Sequence, residues 1–182
     1  NTDLPLLIPL ANTGSIAIAS KTSTAAYEVA RRMLLDLIVH HSPLDLNIAL
    51  IADCRDAEER WGWLKWVPHT GSLNSEVKPR RLNFTDGQID LYLKWLVDEY
   101  TSRSRQANNL STSAKTKDRQ VSIVVLFDDN GPARQLPEIA RIADCGYEVG
   151  IYLIFAGGKN WPRECRARLD VIGEDSFNYI ET

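Results

Sequence analysis

The sequence contains few cysteines and no long hydrophobic segment. Its three cysteines, Cys54, Cys145 and Cys165, lie far apart and include no C-x-x-C pair, which argues against a disulfide framework or a zinc site and favours a reducing compartment. No apolar run approaches the length of about 20 residues that spans a bilayer. The only methionine is Met33, and no signal-like segment precedes it. We therefore expect a soluble domain that is part of a longer, multi-domain protein.

The sequence also lacks a net positive charge. Its formal net charge is −3 and its pI is near 5.6, which is the wrong sign for a protein whose main partner is a phosphate backbone. One polar stretch, residues 102–120, is locally basic, and we predict that it is a flexible loop. Contact with DNA or lipid headgroups is one interpretation of this loop. A solvated linker is favoured because no aromatic residues are interleaved for base stacking.

Apolar runs of strand length alternate with amphipathic helical patterns along most of the chain. This alternation predicts an α/β fold of three layers, with helices on both faces of a mostly parallel sheet, because parallel strands need crossover connections. Two short strands near the C-terminus indicate an antiparallel edge, and we expect residues 1–182 to form a single domain. The predicted buried strands are Leu46–Ala52, Val121–Phe127 and Val149–Ala156, the first long helix is Thr24–His41, and the edge strands lie near Asp170–Ile172 and Phe177–Ile180.

Three local patterns predict further elements. Leu4–Leu10 and Ile16–Ala19, separated by Asn12-Thr13-Gly14, indicate a hairpin or two short strands. Asp56, followed three residues later by Glu59, is a capping-box-like start for a short helix through Trp66. A helix beginning after Thr85 fades into the basic stretch from Ser102 onward.

The junction between the first predicted strand and its helix lacks a phosphate-binding loop. Such a loop follows the pattern G-x-x-x-x-G-K-[ST], in which backbone N–H groups and the lysine bind phosphates and the hydroxyl holds magnesium. In this chain Ser20 and Ala25 stand at the glycine positions, Ala26 at the lysine position and Tyr27 at the magnesium-ligand position. Lys21 is the only cation there, and it lies at the start of the loop. An ordinary capped connection is therefore favoured, and we expect no ATP hydrolysis.

A pair of carboxylates follows the second buried strand. In nucleotide-binding motors, an acidic residue at this strand tip holds magnesium and its neighbour orients the attacking water. Asp128 fits the first role, and Asp129 stands where a longer glutamate is usual. The alternative is that Asp-Asn-Gly simply begins a turn. The two interpretations are evenly weighted, and without the phosphate loop such a site is incomplete.

Several segments resemble one family of ring motors. His40–Asp53 closely resembles the helix-loop-strand that follows the phosphate loop in FtsK/SpoIIIE-type translocases, and the acidic strand end at Asp128 and Asp129 also matches. More specifically, Arg60–His69 and Trp161–Arg166 resemble the degenerate motor-like domain that precedes the true ATPase domains in type VII secretion ATPases of the EssC/EccC kind. The resemblance covers most of the chain. It departs from the FtsK pattern at the loop glycines and lysine, and at 157–159, where Gly-Gly-Lys replaces a polar sensor.

This resemblance implies a degenerate P-loop NTPase-like fold and a non-hydrolysing structural or regulatory role in a bacterial, membrane-associated translocase for type VII protein secretion. The implied partners are adjacent ATPase domains of the same chain, other copies in a ring and secretion-machinery subunits, and the implied location is the cytoplasmic side of the inner membrane. We expect no cofactor, neither Mg-ATP nor a metal. The alternative is an ATP-binding DNA or protein translocase domain of FtsK/SpoIIIE type.

Aromatic and histidine side chains offer weaker signals. Trp61, Trp63 and Trp66 point to more than one face of their short helix, which favours core packing, with a docking surface for a neighbouring domain as the second interpretation. The three histidines lack cysteine or carboxylate companions at metal-ligand spacing, so we expect them to be solvated. No catalytic residues are predicted.

Overall fold

Within the residues that the structure describes, the chain forms one seven-stranded sheet with helices on both faces. The computed structural model describes residues 8–71, 81–110, 120–128, 131–157, 161–172 and 176–181. The strands are β1 (Ile16–Ser20), β2 (Leu46–Ile51), β3 (Leu82–Asn83), β4 (Ser122–Asp128), β5 (Ile151–Ala156), β6 (Ala167–Val171) and β7 (Phe177–Glu181). The helices are α1 (Leu10–Thr13), α2 (Ser23–His40), α3 (Ala57–Trp61), α4 (Asp86–Leu110) and α5 (Pro137–Cys145), and 3-10 turns span Gly62–Trp66, Pro68–Thr70, Pro132–Gln135 and Gly146–Val149.

The sheet is parallel except at its C-terminal edge. Its strand order is β3-β2-β4-β5-β1-β6-β7, and only the β6–β7 pair is antiparallel among these described strands. The strands β2, β4 and β5 correspond to the apolar runs of the sequence. A strand that is covered by helices on both faces has no solvated side, so most of its residues are apolar. This arrangement confirms the predicted α/β fold, the mostly parallel sheet and the antiparallel C-terminal edge.

Two hydrophobic layers hold the helices against the sheet. On one face, α2 buries Ala26, Ala30 and Leu34 against strand residues such as Ile48, and α3 packs on the same side. On the other face, α4 and α5 cover the residues of alternate strand positions, including Phe127. The alternation follows from the opposite pointing of successive side chains in a strand. No helix in the described ranges is long and apolar enough to cross a membrane.

The second strand of the predicted N-terminal pair forms as β1, but the predicted turn before it does not. Residues 10–13 form the short helix α1, and the amide of Gly14 closes it by donating to the carbonyl of Leu10 at 2.8 Å. Gly14 has a φ of 77°, so the predicted turn residues end a helical turn instead of joining two strands. The first part of the proposed hairpin, Leu4–Leu7, lies outside the described residues.

The predicted flexible loop at 102–120 is partly helical. Helix α4 continues to Leu110, while residues 111–119 lie outside the described part of the chain. The physical reason for the extension is Arg103, which is only 6% exposed and donates to the carbonyls of Val121 and Val149 at 3.0 and 3.1 Å. These bonds fix the helix to the start of β4 and to the segment before β5. A basic residue that sequence analysis assigned to a solvated loop is therefore a buried structural contact.

Candidate functional site

The β1–α2 junction is a short, self-capped connection. Only Lys21 and Thr22 separate the end of β1 from the start of α2. The Thr22 hydroxyl accepts from the amide of Ala25 at 3.3 Å, and the Ser20 hydroxyl accepts from the amide of Thr22 at 3.2 Å. Local side chains thus use amides that a phosphate-binding loop would direct at its ligand. Lys21 is exposed, and no ion pair involving it is present among the described residues.

The residues at the motor's lysine and magnesium-ligand positions serve packing. Ala26 is 1% exposed within the core beneath α2. Tyr27 donates its hydroxyl to the carbonyl of Arg60 at 3.0 Å, and its ring meets the Trp61 ring edge-on with centroids 4.8 Å apart. Where a motor places a small hydroxyl near magnesium, this chain has a large aromatic side chain joined to α3.

Asp128 ends β4 and is only 4% exposed. The indole N–H of Trp61 donates to its Oδ2 atom at 2.6 Å, and the Arg60 guanidinium lies 3.7 Å from the same atom. Burial raises the pKa of Asp128 above its ordinary value, while the Trp61 hydrogen bond and the charges of Arg60 and Arg134 oppose that rise. The oxygen that a motor would offer to magnesium is therefore satisfied by groups of the chain itself. Asp129 lies outside the described residues.

A buried arginine, Arg134, joins the ends of the two central strands. It is 1% exposed and donates to the main-chain carbonyls of Phe127, Ala156 and Gly157 at 3.0, 2.5 and 2.9 Å. Two guanidinium groups thus accompany the Asp128 carboxylate at the carboxyl ends of β4 and β5. Sequence reasoning missed Arg134, because an arginine after a Gly-Pro turn has no signal that separates it from a surface residue.

Gly157 makes room for Asp128, and we expect Gly157→Ala to destabilise the fold. Its φ is 71°, and a Cβ atom built there would lie 2.8 Å from Oδ1 of Asp128. Both the left-handed backbone and the clash oppose a side chain, so the loss in unfolding free energy should be about 1–3 kcal/mol. Urea denaturation measures it. Gly87→Ala is the control, since a Cβ there meets nothing within 4 Å; equal losses at both positions would contradict the prediction.

The three tryptophans do not act as one surface. Trp61 is fully buried, so core packing is confirmed there and Trp61 is not available as a docking residue. Trp63 is half-buried, and its buried indole nitrogen has no hydrogen-bond partner among the described residues. Trp66 is 80% exposed, with the Lys65 ammonium 5.2 Å from its ring centroid. The predicted single helix is broken at Gly62, where α3 gives way to a 3-10 turn. Trp61 therefore lies on the α-helix, whereas Trp63 and Trp66 lie on the 3-10 turn.

The expectation that all three histidines are solvated is wrong for His69. This residue is 4% exposed, and its Nε2 atom lies 2.9 Å from the carbonyl of His41. The contact ties the turn at Pro68–Thr70 to the end of α2. Among the described residues, no group of three or more His, Cys, Asp or Glu side chains could hold a metal ion. The role of His69 that the structure supports is packing.

Comparison with solved structures places the fold. EssC (ATPases 2 and 3) from Geobacillus thermodenitrificans matches 88% of this chain with a TM-score of 0.64 and 16% identity. EccC (ATPases 2 and 3) from Thermomonospora curvata, solved with a signal sequence peptide, matches 90% with a TM-score of 0.67 and 14% identity. This chain spans 32% of each of those solved chains. At such identities the likeness establishes the fold alone.

Sequence comparison gives a more local relationship. No family model matches the sequence. The curated ESX secretion system protein EccC of Thermomonospora curvata is 34% identical over 68 residues, which are 37% of this chain and 5% of that protein. The chain thus spans a small fraction of this relative's length. It has the fold of the ATPase domains of EssC and EccC, and the predicted resemblance to the motor-like domains of these FtsK/SpoIIIE-type proteins is confirmed.

Proposed function

We propose that this domain is a non-hydrolysing structural or regulatory module of a type VII (ESX-like) protein secretion ATPase. The observation that carries the proposal is the hydrogen bond from the buried Trp61 indole to Oδ2 of Asp128. The fold, shared with EssC and EccC domains, supports the family context. The 68-residue similarity to an ESX secretion system protein supports the secretion context.

Magnesium-nucleotide would have to displace a packed set of side chains. Coordination through Oδ2 of Asp128 requires removal of the Trp61 indole N–H and a change in the Arg60 contact. Tyr27 stands at the position where the motif has the Ser or Thr hydroxyl that binds magnesium. Its own hydroxyl donates to the Arg60 carbonyl, and this bond would have to break before the group could bind a metal ion. The junction before α2 supplies no lysine in the first helical turn to neutralise phosphate charge. The residues present do not fit Mg-ATP.

A domain of this kind acts through its contacts. The solved EssC and EccC chains that it matches contain two numbered ATPase domains, and this chain spans about a third of each. We therefore propose that the domain packs against ATPase domains of its own chain and, in the full-length protein, within a ring attached to the membrane and to secretion subunits. The exposed Trp66 is the tryptophan available for such packing.

Titration of the chain with Mg-ATP is expected to give no binding heat beyond dilution up to about millimolar nucleotide, and no phosphate release. The physical reason is that Oδ2 of Asp128 is already in contact with groups of the chain, and that the β1–α2 junction lacks the glycines and the lysine that bind phosphate. Isothermal titration calorimetry and a hydrolysis assay provide the measurement. Asp128→Ala and Lys21→Ala serve as matched variants, because the first removes the strand-tip carboxylate and the second the only cation of the loop.

Saturable binding that Asp128→Ala or Lys21→Ala abolishes would overturn the proposal and identify a nucleotide sensor. Turnover stimulated by duplex DNA would instead favour the translocase alternative. The absence of binding and of hydrolysis in the wild type and in both variants supports a module that works through its neighbours.

A further inference from the structure

A polar cavity lies toward the opposite end of the strands from Asp128. It has a volume of about 140 Å³ and opens beneath α4, where β2 and β4 begin. Its lining includes Asn47 and Ile123, the second residues of these strands, and from α4 the residues Tyr92, Trp95, Glu99 and Arg103. Arg81, just before β3, completes the side that borders the sheet edge. This cavity is separate from the motor-like site.

The cavity carries an excess of positive charge. Arg103 pairs with Glu99 through a bond of 2.8 Å, which accounts for the cavity's one carboxylate. Within the described part of the chain, Arg81 donates only to neutral main-chain carbonyls, those of His69 and Gly71, at 2.9 and 2.6 Å. No carboxylate of the described residues forms an ion pair with it. Burial lowers the pKa of Arg81 from its ordinary value, yet a guanidinium remains charged at neutral pH. One half-buried positive charge is thus left without a counter-ion among the described residues.

Neutral donors line the same cavity. The Tyr92 side chain is 1% exposed, and burial raises its pKa while the charges of Arg81 and Arg103 oppose the rise. Its hydroxyl therefore stays protonated and lies within the field of both guanidinium groups. The Asn47 side chain adds an amide, and the Trp95 ring, 5.4 Å from the Tyr92 ring, forms an apolar wall. Neutral donors that line the same cavity as a partly desolvated positive charge are suited to an anion.

We propose that this cavity binds a small oxyanion, a phosphate or a carboxylate group, through the Arg81 guanidinium and the Tyr92 hydroxyl. An engineered cavity of roughly this size (~150 Å³) accommodates benzene, so a single phosphate or carboxylate group fits and a whole nucleotide does not. The site is independent of the proposed function, because it lies toward the amino ends of β2 and β4 and uses none of the residues around Asp128. An anion there would connect α4 to the β3 edge.

The test is a titration of the ¹⁵N-labelled chain with sodium phosphate, and separately with sodium acetate, against sodium chloride at equal ionic strength. The readout is the indole N–H signal of Trp95, assigned with Trp95→Phe. We expect a saturable shift of this signal with at least one oxyanion. Binding should weaken about tenfold or more in Arg81→Gln and several-fold in Tyr92→Phe, which keeps the packed ring.

Arg105→Gln is the charge-matched control, because Arg105 is an exposed arginine on the same helix; its affinity should equal that of the wild type. A response to phosphate alone or to acetate alone identifies the anion class. The proposal is overturned if neither oxyanion moves the Trp95 signal, or if Tyr92→Phe, folded by its spectrum, and Arg105→Gln bind equally well. A shift of the Trp61 indole instead would place the anion at the motor-like site and contradict the proposed function as well.

Discussion

Trp61→Ala is expected to lower the free energy of unfolding by about 5 kcal/mol, because removal of a buried tryptophan costs ~3–5 kcal/mol and an orphaned buried acceptor about 1–3 more. Trp61 is fully buried and its indole holds Oδ2 of Asp128 at 2.6 Å. The substitution leaves a cavity beside Tyr27 and a carboxylate at the strand tip without its closest donor. Urea denaturation followed by far-UV circular dichroism measures the loss without relying on tryptophan fluorescence.

A second substitution separates the hydrogen bond from the packing. Trp61→Phe fills much of the same space but has no donor, so it should cost about 1–3 kcal/mol. In an Asp128→Ala background this cost should shrink, with a coupling energy of ~0.5–3 kcal/mol in the double-mutant cycle. Additive losses would show that Asp128 and Trp61 do not interact as argued.

Trp66→Ala is the matched control for the tryptophan series. Trp66 belongs to the same segment but is 80% exposed, so its replacement should change the unfolding free energy by only about 0.5 kcal/mol or less. A loss as large as that of Trp61→Ala would mean that the 3-10 turn, and not the contact with Asp128, carries the stability of this segment.

The sheet could be predicted from local composition. Strands buried on both faces need unbroken apolar runs, and β2, β4 and β5 have them within one or two residues of the predicted bounds. The absence of a phosphate-binding loop could also be predicted, because phosphate binding by such a loop requires specific residues at four positions of fixed spacing. The antiparallel edge followed from two short β-type runs that no helical pattern separated.

The pairing at the strand tip could not be predicted in the same way. Trp61 and Asp128 are 67 positions apart, and nothing in either local pattern specifies that an indole will satisfy that carboxylate. The buried arginines illustrate the same limit. Arg103 lay in a polar stretch assigned to a loop, and the carbonyls that bind it come from segments that meet only in the folded sheet. Burial of a charge depends on tertiary partners, which periodicity does not reveal.

Arg134→Met is expected to lower the unfolding free energy by about 3–5 kcal/mol, because loss of a buried charged partner leaves other buried groups unsatisfied. Arg134 is 1% exposed and bonds the carbonyls of Phe127, Ala156 and Gly157. Methionine can replace much of the aliphatic stem but donates no hydrogen bond. The loss should therefore come from the joined ends of β4 and β5, and urea denaturation measures it.

Arg134→Lys retains the positive charge but not the planar fork that reaches several carbonyls at once. Its cost should be smaller than that of Arg134→Met, at about 1–3 kcal/mol, and Arg163→Leu, at an exposed arginine, should change stability by only about 0.5 kcal/mol. If Arg134→Met were as stable as the wild type, an apolar side chain would serve equally well at this position. Arg134 would then be dispensable to the strand ends, and the charge balance around Asp128 would rest on Arg60 alone.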